Sequence, residues 1–152
     1  LVLPSGEARV AARDLAFPNG CVITPDGRTL VVAESMASRL TAFDIALDGS
    51  LSNRRVFAQL ERKIPDGICL DAEGAIWMAS AIGHECVRVH EGGRISATVK
   101  VETEAFACML GGPDRKTLFL CTAADSDPAK CVAARSGRIE TVRVDVAGVG
   151  LP

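Results

Sequence analysis

FPNGCVITPDGRTLVVAES, residues Phe17–Ser35, recurs further along the chain as IPDGICLDAEGAIWMASA, residues Ile64–Ala81. Pro18-Asn19-Gly20 aligns with Pro65-Asp66-Gly67, Asp26-Gly27 with Glu73-Gly74, and the apolar run Leu30–Ala33 with Ile76–Ala79. A weaker third copy, Phe106–Ala123, keeps Pro113-Asp114 and Thr117–Leu120, and in this alignment Cys108-Met109 takes the place of Asn19-Gly20. Self-similarity at a fixed period marks a blade-by-blade or solenoid architecture. Asn19 and Asp66, polar residues at one equivalent place, become the functional question.

Outward from the repeat, each copy resolves into short strands. Gly20–Thr24 reads as a buried strand, Pro25-Asp26-Gly27-Arg28 as a tight turn, and Thr29–Ala33 as a second, β-branched strand. Arg39–Asp44 and Asn53–Ala58 follow, parted by the turn Leu47-Asp48-Gly49-Ser50; Ser52–Glu61 could carry helical spacing, but its repeat partner makes it strand. The second copy offers Gly67–Leu70, Ile76–Ala79, Cys86–His90 and Ser96–Val101; the third offers Ala107–Leu110, Thr117–Cys121 and Ile139–Val144. Short strands in units of about 41 to 47 residues predict an all-β chain, a β-propeller of four-stranded antiparallel blades. The expected layout is blades at 17–63, 64–105 and 106–147, a tail at 148–152, and the outer end of a preceding blade at 1–16. The last reading rests on Glu7–Leu15, which resembles Arg94–Glu102.

In such a meander the inner strand of each blade starts on one face of the disc and the second strand returns to it. Asn19, Asp66 and the loops Glu34–Ser38, Ser80–Glu85 and Thr122–Gly137 should therefore surround one mouth. The third of these loops is long and polar, as binding or lid segments are. The Asp-Gly turns lie on the opposite face.

Composition excludes several classes. At 152 residues, with a formal net charge of −2, the chain shows no electrostatic signature for nucleic acid or an anionic membrane surface. No apolar run is long enough to span a bilayer, and LVLPSGEARV, at the start, lacks the basic and apolar regions of a signal peptide. It also lacks Met and opens in mid-pattern, so a missing upstream part is expected. The six cysteines form no CxxC and mostly sit in apolar runs, where a thiol packs as a small hydrophobe. Reduced thiols and a cytoplasmic location follow; Cys121 and Cys131, flanking one loop, are the pair to test for a disulfide.

PNG at 18–20, TPDGRTLVVAES, RLTAFD at 39–44, DGSLSNRRVFA at 48–58, PDGICLDAEGAIWMA at 65–79 and LGGPDRKTLFL at 110–120 resemble the SMP-30/gluconolactonase/LRE family, in its C-terminal half. The resemblance is colinear over nearly the whole chain. It implies about three blades of a six-bladed parent, with one divalent metal cation (Ca²⁺, Zn²⁺, Mn²⁺ or Mg²⁺) at the mouth of the central channel. Asn19 and Asp66 are then implied as metal ligands, with Asp66 also the general base in hydrolysis of a small-molecule sugar lactone. The first-blade Glu and a middle-blade Asn of that family have no counterpart in this sequence.

Backbone chemistry offers a plainer account of the same residues. Pro-Asn-Gly and Pro-Asp-Gly are turn signals in their own right, and two oxygens fall short of the roughly six to eight that Ca²⁺ takes. Glu34 and Ser35 end a strand at the mouth, as a substrate contact or a solvated pair. Arg39 either steers a hydroxyl-rich or acidic substrate or pairs with Glu34. His84, on the matching loop of the next copy, is a candidate substrate contact without an HExxH pattern. Trp77 reads as core, and Asp125 and Asp127 as loop residues. Three blades would leave open strand edges, so the missing N-terminal half or a second copy is an expected partner. The alternative to a lactonase is a non-catalytic propeller segment that binds without turnover.

Overall fold

The first copy of the repeat folds into a four-stranded antiparallel sheet: β1 (Pro18–Ile23), β2 (Thr29–Glu34), β3 (Arg39–Ile45) and β4 (Leu51–Gln59), side by side in chain order. The computed structural model that shows this describes residues 1–149. The second copy repeats the meander with β5 (Pro65–Leu70), β6 (Ile76–Ser80), β7 (Glu85–Val89) and β8 (Ile95–Lys100). The third forms a sheet of β9 (Glu104–Gly111), β10 (Thr117–Ala123) and β11 (Arg138–Arg143), three strands among the described residues. The all-β propeller architecture is thus as the repeat predicts, and β4 settles the ambiguous Ser52–Glu61 segment as strand.

The inner strands β1, β5 and β9 pack against one another, and the sheets stack through two apolar layers. Between the first and second sheets lie Val31, Leu40, Phe57, Ile76, Met78 and Val87; between the second and third lie Trp77, Cys86, Cys108, Leu110, Leu118 and Leu120. Leu118 and Leu120 are 0% and 1% exposed, and each such side chain contributes about 1.5–3 kcal/mol on leaving water. The six cysteines are free thiols, Cys121 and Cys131 included.

Gly20 sets the distance between the first two sheets. A methyl there would stand 2.6 Å from the Asp66 carbonyl oxygen and 2.7 Å from the Ile68 nitrogen, both backbone atoms with no freedom to swing aside. Gly67 makes the corresponding approach to Ala107, 2.7 Å from its Cα. Gly20→Ala is therefore expected to destabilise the fold by about 1–3 kcal/mol through overpacking. A lower urea midpoint with an unchanged m-value would show it.

Three expectations need correction. Residues 1–16 form no strand: the segment has an isolated pairing of Val2 with Ala8, and Asp14 and Phe17 adopt φ of 59° and 60°, which breaks an extended run. It is held instead by side chains, with Arg54 donating to the carbonyls of Arg13 and Asp14. The third loop holds a helix, α1 (Pro128–Ala134), whose N-cap Asp127 accepts from the N–H groups of Ala129 and Lys130 while Asp125 pairs with Lys130 at 2.6 Å. Asp125 and Asp127 thus serve this helix. Of the expected tail, Gly148 lies opposite Asp71 and bonds to Arg115, Val149 N–H donates to the Leu70 carbonyl of the second sheet, and 150–152 lie outside the described residues.

The turn at Asp71, between β5 and β6, is stabilised by its own side chain. One Asp71 oxygen accepts from the N–H groups of Glu73 and Ala75, and the other takes the Arg88 Nε–H at 2.6 Å.

Candidate functional site

Asn19 and Asp66 do not sit in turns. Pairing passes from Pro18↔Glu34 to Cys21↔Val32 in the first sheet, and from Pro65↔Ser80 to Ile68↔Met78 in the second. Each inner strand therefore carries one extra residue at the same place, a β-bulge that re-aims a side chain. Neither Gly20 nor Gly67 has a positive φ; these glycines serve close approach, which brings the two bulges together.

The side chains follow the backbone. Asn19 is exposed at the mouth and Asp66 is half-buried beside it. Burial pushes the Asp66 carboxyl above its ordinary pKa, and hydrogen bonds from the Asn19 side chain and the Gly67 backbone pull it partly back. Asn19 Nδ2 also faces Ser35 Oγ at 3.4 Å, and the Ser35 hydroxyl donates to the Pro65 carbonyl at 2.6 Å. The two polar residues that the repeat aligned are thus neighbours in space.

The third inner strand has its bulge between Ala105 and Ala107, where Cys121↔Ala107 passes to Thr122↔Ala105. Phe106, not Cys108, is the counterpart of Asn19 and Asp66. Cys108 lies two residues on, buried against Cys69 with the sulfurs 3.9 Å apart. The β9–β10 hairpin is two residues longer than β5–β6, spanning 111–117 between Leu110 and Leu118 against 71–75 between Leu70 and Ile76. Counting back from Leu118 without a gap misplaces the strand by that amount, and the difference in turn length is the signal that would have found it.

Glu34 and Arg39 pair with each other, one of the two readings open for Arg39, and Glu34 is buried rather than solvated. The Glu34 side chain is 0% exposed, and Arg39 grips it in a fork at 2.9 and 3.1 Å. Its oxygens also accept from the Thr41 hydroxyl at 2.5 Å, the Ala16 N–H at 2.7 Å and the Arg54 guanidinium at 3.3 Å. Burial opposes the charge, but the Arg39, Thr41 and Ala16 bonds outweigh it and hold the carboxyl down at about 2. No face of Glu34 is left for a substrate. His84 is 56% exposed with φ 53°, and its ring and backbone N–H both meet Glu104, the ring at 3.2 Å. Among the described residues no hydrogen bond joins it to Asn19 or Asp66.

As a donor set the mouth offers a carboxylate and an amide carbonyl, the oxygen type that hard cations take. Among the described residues no group of three or more His, Cys, Asp or Glu side chains is arranged to hold a metal ion. The family model described as SMP-30/Gluconolactonase/LRE-like region matches residues 1–124. The chain belongs to this family. It is 34% identical over 140 residues to regucalcin of Danio rerio, covering 88% of this chain and 48% of that protein. Among solved structures, a regucalcin from Agrobacterium tumefaciens, described as a calcium-binding protein, superposes with a TM-score of 0.79 at 23% identity, over 97% of this chain and 52% of that one. A gluconolactonase from Xanthomonas campestris gives a TM-score of 0.66 at 30% identity, over 79% of this chain and 39% of that one. The chain thus spans about half, or less, of the length of these SMP-30/gluconolactonase relatives.

Proposed function

We propose that the protein hydrolyses a sugar lactone with the help of a divalent cation, and that Asn19 and Asp66 are the part of the site this chain carries. The observation behind it is the pair of matched bulges that set the Asn19 amide beside the Asp66 carboxylate, in a family that includes a gluconolactonase 30% identical to this chain. Both donors are oxygens, suited to Ca²⁺ or Mg²⁺ and compatible with Mn²⁺ or Zn²⁺. A bound cation supplies Lewis acidity toward an ester carbonyl.

The residues then divide the work. Asp66 accepts the proton of the attacking water, a task for a carboxylate held at the mouth. Asn19 fixes the Asp66 carboxylate through its amide and offers its own carbonyl oxygen to the mouth. Glu34, Arg39 and Thr41 hold the end of β2, next to which Ser35 reaches Asn19 and the Pro65 carbonyl. Neither Glu34 nor Arg39 has a substrate role in this reading, and His84 stays with Glu104. No helix among the described residues is long and apolar enough to cross a membrane. The free thiols, with Cys69 and Cys108 in contact yet unbonded, support a reducing, cytoplasmic setting.

The test is acid release from a panel of aldonolactones by the protein as its gene encodes it, with and without EDTA. Hydrolysis that EDTA abolishes and added Ca²⁺, Mn²⁺ or Zn²⁺ restores is expected. Hydrolysis indifferent to EDTA removes the cation, and none on any lactone leaves a propeller segment that binds without turnover.

A further inference from the structure

Ser35 is 3% exposed and joins two sheets at the mouth. Its Oγ–H donates to the Pro65 carbonyl at 2.6 Å, one residue before Asp66. A hydroxyl has a single hydrogen, so Ser35 Oγ can only accept from any other neighbour. The neighbour is Asn19 Nδ2 at 3.4 Å. An amide has two ends of nearly equal size, and only the NH₂ end can face an oxygen that has no hydrogen left to give. The same amide lies beside the Asp66 carboxyl and lowers its pKa. Among the described residues no donor engages Asn19 Oδ1, which is left to face the mouth.

We propose that Ser35 is a positioning residue that sets the amide orientation of Asn19. The hydroxyl keeps Nδ2 turned inward, so that Asn19 Oδ1 and the Asp66 carboxylate present oxygen together toward a hard divalent cation. The idea rests on the proposed role of Asn19 and Asp66, but its test separates the two. Without Ser35 only the Asp66 carboxylate still draws Nδ2 inward, and an amide that turns away presents NH₂ toward the cation.

The decisive comparison uses two backgrounds. Binding of Mn²⁺ is followed by its electron paramagnetic resonance signal, and of Ca²⁺ by calorimetry. Ser35→Ala is expected to weaken binding at least about tenfold, the usual scale for a residue that orients a ligand. In an Asn19→Asp background, whose carboxylate has oxygen at both ends, the same change is expected to weaken binding less than about threefold. Equal losses in both backgrounds overturn the orienting role and leave Ser35 a packing residue. Ser35→Thr, which keeps the hydroxyl, is expected to restore binding and controls for folding. A metal-free measurement stands beside these: one Asn19 side-chain NH₂ proton should exchange slowly with solvent and lie away from the free-amide shift in the parent, and should move to free-amide exchange and shift in Ser35→Ala. Free-amide exchange and shifts for both protons already in the parent overturn the proposal even if no cation binds. Mn²⁺ binding unaffected by Asp66→Ala and Asn19→Ala removes the site reading instead, with the amide result still standing on its own.

Discussion

Asp66→Asn is expected to lower lactone hydrolysis by about 10²–10⁴-fold, the range a positioned general base contributes, while the fold keeps or gains stability. The second half of that outcome follows from linkage. The folded-state pKa of Asp66 is raised by burial, so folding is favoured by its protonated form and opposed as pH rises through that raised value. Replacing the carboxylate by a neutral amide of the same shape removes the opposition. A packing residue would behave the other way, losing thermal stability along with activity. Melting curves and initial rates on the same preparation distinguish the two; a fall in Tm that tracks the loss of activity would sink the base assignment.

Glu34→Ala is expected to be the most destabilising single change near the mouth, by about 3–5 kcal/mol, because it breaks an enclosed ion pair and leaves Arg39 without its counter-charge. The pH dependence has a definite direction. Glu34 titrates near 2 in the folded protein against 4.5 as the ordinary value. Its contribution is complete above about 4.5 and is lost as pH falls from there to about 2. A shift of that size corresponds to roughly 3 kcal/mol. Urea midpoints at pH 7 and pH 3 should therefore differ strongly in the parent and much less in Glu34→Ala. A variant as acid-sensitive as the parent would show that other carboxylates dominate.

Much of this arrangement could be read from the repeat itself. Two copies of one motif, each with a polar residue before glycine, point Asn19 and Asp66 to a shared mouth. The turn alternative for those residues was sound local chemistry, and pairing across the sheet overrode it: a bulge needs the partner strand, which no short window of sequence contains. The same holds for Phe106, hidden behind Cys108 by the extra residues of one hairpin. Glu34 posed a different difficulty. A glutamate at a strand end reads as solvated until Thr41, Ala16 and Arg54 close over it, and those come from three separate segments. The helix α1 was within reach, since Asp127-Pro128 is an N-cap followed by proline.

That helix also has no buried residue. Its stability comes from its own caps and from Lys130 on Asp125, so nothing in the two apolar layers depends on its composition. Residues 124–137 are thus where foreign sequence can be spliced into the chain at small thermodynamic penalty. A dye or an affinity tag grafted there would report on the rim while leaving every blade's hydrogen-bond ladder intact.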